Sequence, residues 1–201
     1  MLKEIRPAVV SLLALTMITG LAYPLAVTGL ANVLFPYQAE GSLLERDGKV
    51  VGSALIGQEF KSDRYFHGRP SATVAPDPAD ASNTIPAPYN AANSGGSNLG
   101  PTSKALADRL GEDVAKLRAE NPGTAIPVDL VTTSGSGLDP DISPESALFQ
   151  APRVAKARDV PEEQIRKLVT ASVERPLGGV LGERRINVLK LNLALDAASP
   201  R

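Results

Sequence analysis

The sequence predicts an α+β or mixed α/β extramembrane domain preceded by one N-terminal transmembrane helix. Three observations carry this. The stretch from Pro7 to Phe35 contains no Asp, Glu, Lys or Arg, and roughly 20 apolar residues suffice to cross a bilayer core. The remainder of the 201 residues is long enough for one domain with its own hydrophobic core. Within that remainder, short apolar runs bounded by Gly and Asp alternate with helix-period stripes opened by Ser and Pro, a mixture of strand and helix signals. The organisation read from this is a short N-terminus over 1–6, a membrane anchor over 7–36 and a single soluble domain over 37–201.

Lys3 and Arg6 precede an apolar run that could pass for a secretory signal, with Gly29, Leu30 and Ala31 as a small-x-small site. Signal h-regions run about 7 to 15 residues, so the length argues for an uncleaved anchor. Pro24 sits inside it, four residues after Gly20, where no side chain adds to the crowding at the carbonyl that the ring meets. A kinked, unbroken helix is expected. The first basic residue after the anchor is Arg46, behind Glu40 and Glu45, so the positive flank lies before the helix. That places the N-terminus in the cytoplasm and the soluble domain outside it. Thr16, Gly20, Pro24 and Thr28 recur every fourth residue, forming one helix face on which a second helix can approach closely.

Beyond the anchor, Asp47 and Gly48 mark a hairpin turn within a strand region from Gly41 to Gln58. Tyr65, Phe66 and the only histidine, His67, come next; a lone His beside two aromatics reads as a packed or turn residue. Residues 70–101 are crowded with Pro, Ala, Asn, Ser and Gly and read as a long loop, a kind that is usually functional or disordered. Its end, Ser94 to Gly100, is dense in backbone-permissive residues.

Thr102 or Ser103 caps a helix with the stripe Leu106, Leu110, Val114, Leu117, ended by Asn121, Pro122 and Gly123. Val128 to Thr132 reads as a short buried strand feeding the loop Ser134, Gly135, Ser136, Gly137, Leu138, Asp139. A helix follows, with Ser143 as cap and Pro144 in its first turn. A strand, glycine loop and helix in this order can cradle a phosphate, although the lysine and spacing of a Walker A loop are missing. The helix is interrupted or kinked at Pro152 and reaches about Ala157. Another opens at Pro161 and buries Ile165, Leu168, Val169 and Val173. Leu189, Leu191, Leu193 and Leu195 alternate with Lys190, Asn192 and Ala194, predicting a half-buried strand over Arg184 to Leu195, with a helical last turn as the alternative.

Composition narrows the function classes. With 21 Lys plus Arg against 22 Asp plus Glu and no long block of either sign, the chain lacks an electrostatic footprint for nucleic acid. Absence of cysteine removes disulfides, thiolate metal sites and a cysteine nucleophile. There is no G-x-S-x-G elbow and no H-E-x-x-H, and no catalytic or metal site is expected. An accessory or interaction subunit fits better than an enzyme.

Taken together, the single N-terminal span, Phe66 to Ala72 (FHGRPSA), Ser94 to Thr102 (SGGSNLGPT), Asp129 to Pro144 (DLVTTSGSGLDPDISP), Arg153 to Arg158 (RVAKAR) and Leu181 to Leu195 (LGERRINVLKLNLAL) resemble the C subunit of the Kdp potassium-transporting P-type ATPase of bacteria. The match covers the whole chain in order. Two positions depart from the pattern that the resemblance implies: Asp141 stands where His is expected, and Arg185 where Pro is expected.

The resemblance implies an inner-membrane complex that pumps potassium inward using ATP, with a channel-like A subunit, an ATP-hydrolysing B subunit and a small F subunit as partners. Potassium is the cargo of that complex and is not expected to bind this chain. The resemblance further implies a non-catalytic chain, described as a catalytic chaperone that raises the ATP affinity of the B subunit, and puts Ser134, Gly135, Ser136 and Gly137 at a nucleotide contact. ATP is cytoplasmic, whereas the charge flanks put these residues on the other side, so the effect on ATP is expected to be indirect. A docking face on the soluble domain is expected around Arg69, Gly95, Gly96, Asn98, Ser136 and Asp139, turned toward the channel-like subunit near the potassium entrance. An anchored stand-alone hydrolase is the remaining alternative.

Overall fold

The computed structural model describes residues 2–176 and 178–198. It forms two compact units, one up to Ser53 and one from Ala54 onward.

The first unit begins with α1 (Leu2–Met17) and α2 (Tyr23–Leu34), joined without a break by a π-helical turn at Ile18–Ala22. The Tyr23 N–H bonds Ile18 O, five residues back. Pro24 follows directly; having no N–H, it donates no ladder bond, and the wider turn gives its ring room. The expected unbroken helix is therefore present, with a π-turn as its irregularity. Lys3 to Leu34 is long and apolar enough to cross a membrane, with a mean hydropathy of 1.9. A short α3 (Pro36–Ala39) leads to β1 (Leu43–Arg46) and β2 (Lys49–Ser53), an antiparallel hairpin in which Arg46 pairs with Lys49. Asp47 and Gly48 both have positive φ, 53° and 72°, the two-residue turn whose twist suits paired strands.

The second unit is built on three helices. α5 (Pro144–Arg158) packs on α6 (Glu162–Ala171), which packs on α7 (Val188–Ala198). Their shared core holds Ile142, Ala147, Ala151, Val154, Ile165, Val169, Ile186, Leu191 and Leu195. Phe66, with no exposed surface, plugs into it; burying such a side chain contributes about 1.5–3 kcal/mol. Among the described residues the strap carrying Phe66 has no strand partner, and side-chain amides replace one. Asn192 accepts from Phe66 N–H at 2.9 Å and donates to Phe66 O at 3.0 Å, while Gln150 does the same for His67 at 2.8 and 3.1 Å.

Three expectations are corrected here. The predicted strand over Arg184 to Leu195 is only β6 (Ile186–Asn187), paired with β5 (Asp141–Ile142), before the chain turns helical. Val188, Leu191, Asn192 and Leu195 are buried, a 3.6-residue period that the alternating leucines masked. Val128 to Thr132 is no strand: Val128–Leu130 is a 3₁₀ turn with Val128 71% exposed. The 70–101 segment contains a small hairpin, β3 (Val74–Pro76) with β4 (Thr84–Pro86).

The predicted helix starts hold. Ser103 caps α4 (Lys104–Glu120), and Ser143 caps α5 with its hydroxyl accepting Ser146 N–H at 3.0 Å. α5 is assigned as one helix through Pro152, without interruption. Pro161 stands at the start of α6, which buries Ile165 and Val169.

Candidate functional site

The two glycine-rich loops, 40 residues apart in sequence, lie against each other. Gly95 N–H donates to Ser136 O at 2.9 Å, and the Ser94 hydroxyl donates to the same oxygen at 3.0 Å. A Cβ on Gly96 would stand 3.0 Å from Gly135 O, so glycine permits this approach. Gly137 is more constrained. Its φ is +68°, and a Cβ there would collide with the Thr73 methyl and sit 2.7 Å from Gly95 O. Only glycine meets both demands without strain.

Underneath, hydroxyl groups pin the loops. The Ser71 hydroxyl donates to Gly137 O at 2.8 Å and accepts Tyr89 N–H at 3.0 Å; the Thr73 hydroxyl donates to Ala87 O at 2.6 Å. Tyr89 adopts a positive φ of 59°. Its ring lies where a Cβ on Gly57 or Gly68 would be, and its hydroxyl donates to Arg69 O at 2.7 Å. Burial, reinforced by the Asp139 carboxylate, pushes its phenol up to about 12. Ser71, Thr73 and Tyr89 carry no sequence signal that separates them from ordinary loop residues, and their role appears only when both loops are in place.

Of the residues expected on the docking face, Gly95, Gly96, Asn98, Ser136, Arg69 and Asp139 all fall in this assembly or at its margin. Arg69 and Asp139 are each other's partner, Nη1 to Oδ2 at 2.9 Å, with side chains about a quarter exposed at 26% and 27%. Arg69 Nη2 also approaches the main-chain oxygens of Thr132 and Thr133 at 3.4 Å. The pair thus ties the 67–72 strap to the second loop. Asn98 is exposed and has a φ of +51°, a conformation that Asn tolerates better than most residues.

The loop 134–137 does not have the phosphate-cradle order of strand, loop and helix. A 3₁₀ turn precedes it, and β5 intervenes before α5. Two of its amides are already used: Gly137 N–H donates to Ser134 Oγ at 2.9 Å and Leu138 N–H to Ser136 Oγ at 3.1 Å. The N-terminus of α5 is occupied from within the domain, because Asp129 accepts from Ser143 N–H at 2.8 Å and from the Ser146 hydroxyl at 2.5 Å. A carboxylate there complements the positive end of the helix. Asp129 was not singled out by the sequence, although an Asp 14 residues before a Ser–Pro cap gives no local signal.

Thr16, Gly20, Pro24 and Thr28 lie along the anchor helix. A Cβ on Gly20 would meet only the Thr16 methyl, at 3.9 Å. His67 is packed, its Nε2 3.1 Å from Ser62 O; burial first, and then the charges of Arg153 and Lys116, hold it below its ordinary value. Among the described residues no cluster of His, Asp and Glu is arranged to hold a metal ion.

A family model described as KdpC, the c chain of K+-transporting ATPase, matches residues 5–197. The chain is similar to the potassium-transporting ATPase KdpC subunit of Rhodopseudomonas palustris (strain ATCC BAA-98 / CGA009), 88% identical over 201 residues with both chains covered fully. The KdpC subunit of Bradyrhizobium diazoefficiens is 73% identical over 201 residues, again with 100% of each chain covered. That of Methylobacterium nodulans is 72% identical over 196 residues, or 98% of each.

Proposed function

The chain belongs to the KdpC family, the c chain of K+-transporting ATPases, and from that premise we propose that it is the non-catalytic accessory subunit of an ATP-driven potassium uptake complex, assembling with channel-like, ATP-hydrolysing and small membrane subunits. In this reading the second unit lies outside the cytoplasm, in keeping with Lys3 and Arg6 before the anchor. The observation that carries it is the mutual docking of Ser94–Asn98 and Ser134–Asp139 through Ser136 O. This makes one surface of small side chains and exposed backbone, suited to close contact with a partner. Its contact is the channel-like subunit near the potassium entrance.

The same reading gives the chain an indirect influence on ATP. Gly137 and Leu138 amides bonded to their own serines favour a loop that docks over one that wraps a phosphate. A domain that binds one state of the complex better than another shifts ATP affinity without touching ATP. The test is a purified complex assayed for ATPase activity against ATP concentration, with and without this chain, alongside photolabelling with an azido-ATP. The expected result is a higher ATP requirement without the chain and label on the ATP-hydrolysing subunit alone. Label on Ser134 to Gly137 would establish direct contact, and an unchanged ATP dependence would leave the chain a docking domain only.

A further inference from the structure

Helix α4 contributes no buried residue to the core; its stripe Leu106, Leu110, Val114, Leu117 is only half-buried. Polar links hold it in place. Arg109 Nη1 donates to Val131 O at 3.1 Å, Glu120 pairs with Arg153 at 2.8 Å, and Asn121 Nδ2 donates to Phe149 O at 2.9 Å. Between α4 and the 67–72 strap opens a cleft of about 460 Å³, with Phe60, Leu99, Leu117 and Leu130 among its apolar lining.

The charged groups around this cleft are nearly all ion-paired within the domain, with Arg69 Nε and Arg109 Nε buried and, among the described residues, without a hydrogen-bond partner. Arg109 pairs with Asp113 at 2.7 Å, Glu120 with Arg153, Arg69 with Asp139, and Glu59 with Lys61 at 3.2 Å. Lys116 is the exception: among the described residues it forms no ion pair, Glu120 one turn on being held by Arg153 and Glu112 lying one turn before it. It lies close enough to the cleft to act on His67. An exposed ammonium with no ion pair of its own, beside the partly exposed Leu99 and Leu117, is complementary to an apolar anchor with an acidic neighbour. A free small carboxylate would gain only the exposed ammonium, worth little in water.

We propose that the cleft under α4 receives a segment of another subunit of the same complex, which sets an apolar side chain against Leu99 and Leu117 and a carboxylate against Lys116. This rests on the reading of the chain as a complex subunit. It adds a second contact, adjoining the face formed by the glycine loops at Arg69.

Zero-length carbodiimide coupling of the purified complex tests it. The reagent activates a carboxylate, the Lys116 amine attacks, and an amide forms as the carbodiimide leaves as its urea. Peptide mass spectrometry is expected to find Lys116 joined to an Asp or Glu of another subunit. Lys116→Arg should lose that product while assembling normally, and Lys116→Glu should weaken retention of the chain roughly tenfold, the effect of about 1.4 kcal/mol. An intact complex with no amide from Lys116 to another subunit, and with Lys116→Glu retained as well as wild type, overturns the slot and leaves the subunit reading standing. Failure of the wild-type chain to co-purify with any transporter subunit overturns both.

Discussion

Asp141 Oδ2 and Arg185 Nε lie 3.1 Å apart. These are the two positions at which the sequence leaves the pattern its resemblance implies, so the two departures meet as one ion pair. Arg185 also reaches Glu174 at 3.3 Å, and Glu174 pairs with Lys190 at 2.8 Å. Burial raises the Asp141 carboxyl above its ordinary value, and Arg185 opposes that rise. The arginine is 59% exposed, which limits the pair's worth to about 0.5 kcal/mol.

A double-mutant cycle of Asp141→Asn and Arg185→Ala should therefore give a coupling of about 0.5 kcal/mol in urea unfolding at neutral pH. Its pH dependence follows from the raised carboxyl. A proton held more tightly in the folded state stabilises below the unfolded value of 3.8, and that contribution is lost as pH rises through the folded value. Removing Arg185 raises the folded value further and deepens the loss. The gap between wild type and Arg185→Ala should be smallest below pH 3.8 and widen toward neutrality; a gap that stays flat with pH would rule the pairing out as its cause.

Much of the fold was legible where a single residue type fixes a local geometry. Ser143 with Pro144 marked the start of α5, and Asp47 with Gly48 marked the hairpin. The failures share one physical origin, polar side chains doing work at a distance. Asn192 interrupts the apolar period of α7 because its amide serves the Phe66 backbone, and without it the leucines show period 2. Asp129 lies in an apolar-looking run because its carboxylate caps α5. The junction of the two glycine loops was anticipated as a shared face, but the Ser71, Thr73 and Tyr89 supports beneath it have no local pattern.

The two glycines of the second loop should separate cleanly. Gly135→Ala meets nothing within 4 Å and has no positive φ, so its melting temperature should match wild type. Gly137→Ala must adopt a φ near +68° and push against Thr73 and Gly95 O, costing about 1 kcal/mol or more. Equal stability of the two variants would mean that the loops do not pack as described.

In the anchor, Gly20→Leu has room within its own helix, since only the Thr16 methyl lies near at 3.9 Å. The substitution should leave membrane insertion intact. Lost recovery of the complex in detergent would then report a neighbouring helix against the Thr16, Gly20, Pro24, Thr28 face, where small residues allow close approach. Unchanged recovery would remove that face as the contact.

Orientation separates the proposed indirect influence on ATP from a direct contact, and the cysteine-free sequence makes it measurable with one substitution. Ser136 is a poor site for it, because its hydroxyl accepts Leu138 N–H at 3.1 Å. Gly135 is exposed, has open space around it and has no positive φ, so Gly135→Cys adds a reporter at little cost to the loop. In the proposed orientation, with Lys3 and Arg6 on the cytoplasmic side, a membrane-impermeant maleimide should label this variant in intact spheroplasts to the same extent as after lysis. Labelling that appears only once the membrane is opened would put the glycine loops in the cytoplasm, reverse the orientation proposed from Lys3 and Arg6, and make Ser134 to Gly137 accessible to the nucleotide itself.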